Sequence, residues 1–146
     1  MIRNDREYQD ALRRVTEDQR FLVEQRAALE GLGLAPDEVE RGMGPALSFH
    51  AGLVEEVAWY ERVCRRDFDT SHSLTAIGRL LIAARIANGL TQQELADRLG
   101  VSAAQVSRDE RNEYHGITIE RAQVILDRLG ETLTARLVDK PLARVS

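Results

Sequence analysis

A chain of 146 residues has room for one ordinary domain or two small ones. Its net charge of −4 excludes a uniformly basic coat for nucleic acid, but the charge is uneven: residues 1–72 hold 10 Arg/Lys against 15 Asp/Glu, and residues 73–146 hold 10 against 9. A single cysteine, Cys64, excludes an internal disulfide. No apolar run approaches the ~20 residues that span a bilayer. The opening residues lack a signal-peptide core, and the expectation is a soluble, cytoplasmic protein.

In chain order, residues 5–30 predict a long helix. Tyr8, Leu12, Val15, Leu22 and Leu29 fall on one stripe at helical spacing, Phe21 widens it, and Gln19 and Arg26 interrupt it. Gly31, Gly33 and Pro36 break the pattern, and 36–45 reads as a short acidic segment. A second helix is predicted from about Ala46 to Arg66, with Leu47, Leu53, Val54, Val57, Tyr60, Val63 and Cys64 toward one side. The two helices make an antiparallel hairpin or coiled coil that must pack on itself or on a partner. Residues 67–74 are polar and read as a linker. Four helices follow, at about 75–88, 92–98, 103–111 and 118–129, the last capped by Thr118. Leu133, Ala135 and Leu137 alternate with polar residues over 131–138, which predicts a short β-strand. The fold class expected is mainly all-α: a helical hairpin at 1–70, then a four-helix unit with a C-terminal strand at 75–138.

The most informative stretch is 89–110. Thr91-Gln92-Gln93-Glu94 is a capping box, in which the Thr91 hydroxyl and the Glu94 carboxylate exchange bonds with each other's amides. Ser102-Ala103-Ala104-Gln105 repeats the pattern one helix later. Gly100 sits just past the first of these helices, where a left-handed backbone is required. Leu95, Leu99, Val101 and Val106 supply a buried side, and Ala96 is small enough for the second helix to come close. Two helices this near each other form a helix-turn-helix, which presents its second helix to the DNA major groove.

These residues also carry a family resemblance. From about Leu80 to Gly130 the chain resembles the Xre/lambda-Cro type of helix-turn-helix domain, a lambda-repressor-like fold. The matching positions are Arg85, Gly89-Leu90-Thr91-Gln92, Glu94-Leu95-Ala96, Leu99-Gly100-Val101-Ser102, Val106-Ser107-Arg108, Glu110, Leu126 and Leu129-Gly130. The family carries an apolar or aromatic residue where this chain has Asp109. The opening Ile2-Arg3-Asn4-Asp5-Arg6-Glu7-Tyr8, the later Glu113-Tyr114 and the domain order are similar to regulators that include HigA-type antitoxins. In HipB-like and HigA-like relatives a strand after the last helix pairs with its twofold mate. The resemblance therefore implies a homodimer through the C-terminal strand, the N-terminal helices or both.

The resemblance starts the recognition helix at Ala103 and turns Ala103, Ala104, Gln105, Ser107 and Arg108 outward. A glutamine bonds adenine through both ends of its amide, an arginine grips guanine or phosphate, and an alanine can touch a thymine methyl. Gln92 resembles the family's phosphate-contacting glutamine, at a helix N-terminus that favours an anion. Thr91 and Ser102 cap and can assist, and Arg111, Asn112 and Tyr114 follow where relatives approach the backbone. Glu110 is expected to buttress the domain, paired with an arginine such as Arg85. Arg79 and Arg98 read as plain surface charges.

His50, His72, His115 and Cys64 lack zinc-ligand spacing, and Asp67 and Asp69 lie in no calcium loop. Without a nucleophile motif, a phosphate loop or paired catalytic carboxylates, no enzyme, cofactor or metal is expected. The adopted reading is a double-stranded-DNA-binding repressor of a palindromic operator, located in the cytoplasm on the nucleoid. Two readings stay open beside it: an antitoxin whose acidic hairpin neutralises a basic toxin protein, and an oligomerisation or scaffold protein that does not bind DNA.

Overall fold

The computed structural model describes residues 1–71 and 73–140, leaving His72, named above among the histidines, outside the described residues. Helix α1 runs Asp5–Gly31, and the Asn4 side chain caps it by accepting from the Glu7 amide at 2.8 Å. Its inward row is Tyr8, Ala11, Leu12, Val15, Leu22 and Leu29. Phe21 does not widen that row and is 56% exposed. Helix α2 runs Pro36–Cys64 and packs along α1 as the expected hairpin.

The start of α2 corrects the reading of 36–45 as a break. Pro36 stands in the first turn, where its missing N–H has no intrahelical partner to lose. Pro45, farther in, costs the helix roughly 3 kcal/mol. Val39 and Met43, one turn apart, are both buried. Two such side chains contribute roughly 1.5–3 kcal/mol each, which offsets the proline. Farther along α2, Val57, Trp59, Tyr60 and Val63 are buried, whereas Cys64 is exposed.

A single 3-10 turn, Leu74–Ala76, leads into α3, Ile77–Ala87. This helix is buried on nearly every side, from Leu81 through Ile86, and contacts the elements before and after it. Helices α4 (Gln92–Leu99), α5 (Ala103–Arg111) and α6 (Ile119–Leu129) complete the unit. In α6, Ala122, Ile125, Leu126 and Leu129 are buried, and Ile119 is exposed. One continuous apolar cluster joins Ile2, Ala11, Tyr60 and Val63 of the N-terminal half to Leu81, Leu95 and Ile125 of the C-terminal half. Tyr8 stacks on Tyr60 with ring centroids 5.1 Å apart.

The expected strand at 131–138 does not form, and no strand occurs among the described residues. A strand needs a ladder partner for its N–H and C=O groups, and an alternating pattern alone supplies none. Glu131 instead accepts from Arg66 Nη2 and Asn88 Nδ2, both at 2.7 Å. Leu133, Leu137 and Val138 remain exposed.

Candidate nucleic-acid interface

The two capped helices form as their local signals require. The Glu94 amide donates to Thr91 Oγ1 at 3.1 Å, and the Thr91 amide donates to Glu94 Oε2 at 2.7 Å. The bond from the Thr91 amide, followed by the Thr91 side chain, holds the Glu94 carboxyl below the usual carboxylate range. Gly100 closes α4 at φ +69°, and the Val101 amide returns to the Ala96 carbonyl at 3.0 Å. Leu95, Ala96 and Val106 are buried where α4 meets α5, while Val101, expected in that core, is exposed in the turn.

Ser102 caps α5 by accepting from the Gln105 amide at 3.1 Å, but the second half of a capping box is missing. The Gln105 side chain turns the other way, and its Nε2 donates to Asp109 Oδ1 at 2.9 Å. Arg108 Nη2 donates to Gln105 Oε1 at 3.0 Å. Arg121, from α6, donates to Asp109 Oδ2 at 2.5 Å. Asp109 thus closes the end of α5 with an ion pair to α6, at the position where the resembled family has an apolar side chain.

Beneath this face lies a buried polar knot. Arg85 donates to both oxygens of Glu110, to the Leu90 carbonyl at 2.7 Å and to the Arg3 carbonyl at 2.9 Å. Gln92 Nε2 adds a bond to Glu110 Oε2 at 2.7 Å. One carboxylate therefore ties α3, the start of α4 and α5 together, and the guanidinium extends the tie to the N-terminal segment. The Arg85–Glu110 partnership is the one named from the sequence, whereas the Arg3 carbonyl is a contact that no residue pattern announces.

The outer surface of α5 comprises exposed Ala104 and Arg108 with half-buried Ala103, Gln105 and Ser107. Thr91 and Ser102 are exposed at the two caps, and Gln92 is half-buried between them. Arg111 and Asn112 lie exposed at the end of α5. Both acidic residues of α5's last turns are neutralised elsewhere, Asp109 by Arg121 and Glu110 by Arg85. The positive charge of Arg108 and Arg111 therefore dominates this side of the helix.

Tyr114 corrects the expected surface. It is only 5% exposed and belongs to the hydrophobic core. Burial, followed by the nearby Glu110 and Asp109, raises its phenol well above the ordinary range. Arg79 and Arg98 are also more than surface charges: Arg79 lies over the Trp59 ring at 5.0 Å, and Arg98 donates to the Arg128 carbonyl at 3.0 Å.

Comparison with protein families bears directly on this arrangement. Residues 81–135 match the helix-turn-helix family model. The helix-turn-helix domain is a DNA-binding unit of transcription regulators, and the capped pair α4–α5 is its two-helix centre. No curated protein and no solved structure matches the chain. Among the described residues, no helix is long and apolar enough to cross a membrane.

Proposed function

We propose that this protein is a dimeric transcriptional repressor that binds a palindromic double-stranded DNA operator, including one at its own gene, in the cytoplasm on the nucleoid. It acts without catalysis, cofactor or metal. The observation that carries this reading is the outer face of α5 within the helix-turn-helix domain, where Ala104 and Arg108 are exposed, Gln105 and Ser107 are half-buried beside them, and Ala103 packs against a fixed hydrophobic base.

In the proposed complex α5 enters the major groove. Gln105 and Arg108 meet base edges, and the two alanines let the helix sit deep. Gln92, with the free amides at the start of α4, meets a phosphate, assisted by Thr91 and Ser102. Arg111 and Asn112 meet the backbone, and Tyr114, being core, is not among the contacts. Two copies read half-sites about one helical turn, ~34 Å, apart.

The division of labour proposed is DNA binding by 75–138 and pairing by 1–70. Exposed Phe21, Val23, Leu32 and Phe49 on the hairpin support a protein partner there, with a second copy as the occupant. The same exposed side chains favour the antitoxin as a second reading, in which a basic toxin protein takes that place. A small neighbouring gene, toxic when expressed alone and silenced by co-expression of this chain, distinguishes it.

The test is a gel shift on the DNA upstream of the protein's own gene, with random competitor at about 150 mM salt, where phosphate-only binding is weak. A shift that survives competitor supports the reading. Loss of the shift in competitor, together with failure to enrich any sequence from random DNA, rejects it in favour of a scaffold role.

A further inference from the structure

We infer that Asp109, held by Arg121, is a positioning residue that sets the base preference of Gln105; the inference rests on the DNA-binding reading above. A glutamine amide carries an acceptor at one end and a donor at the other. Adenine presents the reverse pair at N6 and N7, so a bidentate contact requires the amide in one orientation. A freely rotating amide offers both orders and discriminates less.

In this chain the orientation is chosen before DNA arrives. Nε2 is directed to Asp109 Oδ1 at 2.9 Å, because a carboxylate accepts and cannot donate. Oε1 is directed to Arg108 Nη2 at 3.0 Å, because a guanidinium donates and cannot accept. Both neighbours favour the same amide orientation. Gln105 keeps one N–H and one lone pair free for a base, and Arg108 keeps further N–H groups beside it.

The carboxylate is itself restrained. Its second oxygen receives Arg121 from α6 at 2.5 Å, and the Asp109 side chain is 18% exposed. The pair cancels the charge that a lone carboxylate would bring toward the DNA backbone. The restraint on Gln105 therefore runs from α6, outside the two-helix motif, through Asp109. Fixing a side chain in advance is worth roughly three- to tenfold in binding when the fixed geometry is the bound one.

The experiment compares base preferences selected from random DNA by the wild-type protein, Gln105→Ala, Asp109→Glu and the double variant Asp109→Leu/Arg121→Leu. Gln105→Ala identifies the base pair that Gln105 reads. The double variant leaves the net charge unchanged and packs apolar groups together, but removes the acceptor. Asp109→Glu keeps two acceptor oxygens, one for Gln105 and one for Arg121. Roughly a three- to tenfold loss of preference at that base pair in the double variant, with preference retained in Asp109→Glu, supports the inference.

Unchanged preference in the folded double variant overturns the inference and leaves the DNA-binding reading standing. Absence of any enriched sequence with the wild-type protein overturns both. NMR of the Gln105 side-chain amide in the wild-type protein needs neither DNA nor a variant. An Nε2 proton shifted downfield and protected from solvent exchange supports the restraint, and random-coil shifts with solvent-like exchange overturn it.

Discussion

Arg85 and Glu110 meet as a bidentate pair, Nε to Oε1 at 2.5 Å and Nη2 to Oε2 at 2.8 Å, with only 3% and 0% of their side chains exposed. Charges this deep persist because both groups find further partners: the Leu90 and Arg3 carbonyls for the guanidinium, the Gln92 amide for the carboxylate. Removing one partner leaves the other charged and unsolvated. Glu110→Ala is therefore expected to cost about 3–5 kcal/mol, whereas replacing both residues by Leu costs much less. Urea denaturation of the two variants checks the difference. Equal losses would mean that shape and not charge governs the knot.

Gly78 holds the loop after α5 against α3. A Cβ at this position would lie 1.9 Å from the Glu113 carbonyl oxygen and 3.1 Å from the Tyr114 Cβ. That stretch of chain has little room to yield, since Glu113 and Tyr114 already take left-handed backbone at φ +49° and +52°. Gly78→Ala is expected to destabilise the protein by about 2–3 kcal/mol, although alanine favours helix. A thermal melt that shows stabilisation contradicts this packing.

On the DNA side, base contacts and phosphate contacts separate by their salt dependence. Gln105→Ala and Arg108→Ala should each weaken specific binding by roughly 1–3 kcal/mol and relax the preferred sequence. Arg111→Ala should weaken binding to all sequences alike and reduce the salt slope by about one. Titrations over a range of salt, on operator and on random DNA, measure both quantities. A sequence-dependent loss at Arg111 would move it into the base-reading group.

Glu131 supplies a pH dependence. The Arg66 hydrogen bond, then that of Asn88, holds its carboxyl below the usual range. A depressed folded-state pKa means stability that is fully present above the ordinary carboxylate value and lost as pH falls through the folded one. Glu131→Gln should therefore melt at a lower temperature than wild type at pH 7. The gap should narrow below about pH 4, as the wild-type carboxyl is itself protonated. A gap that stays constant with pH would assign the effect to shape.

Much of the candidate interface was legible because its signals are local. The Thr91 cap, the Gly100 turn and the Ser102 cap each depend on residues three or four positions away; the first two appear as read, and Ser102 caps α5 without the reciprocal half of its box. Even the Gln105–Asp109 bond has the i, i+4 spacing of neighbours on one helix face. The capping-box pattern pointed the Gln105 side chain toward Ser102 instead, and Asp109, charged and held by Arg121, is the stronger acceptor.

By itself, the sequence determined where the helices of the C-terminal half begin and end, that α1 and α2 lie antiparallel, and which side of α5 is polar. Helical period, caps and glycine turns act within about one turn of chain, so neighbours in sequence suffice to specify them. Only the tertiary structure decided that α2 starts at Pro36 and continues through Pro45, because burial of Val39 and Met43 against α1 outweighs the local break. It also withdrew Tyr114 into the core, joined Asp109 to Arg121 and left 131–138 without a ladder. Each of these outcomes depends on a partner distant in sequence, or on the lack of one, and burial and pairing energies with such partners exceed the fraction of a kcal/mol per residue that local propensity supplies.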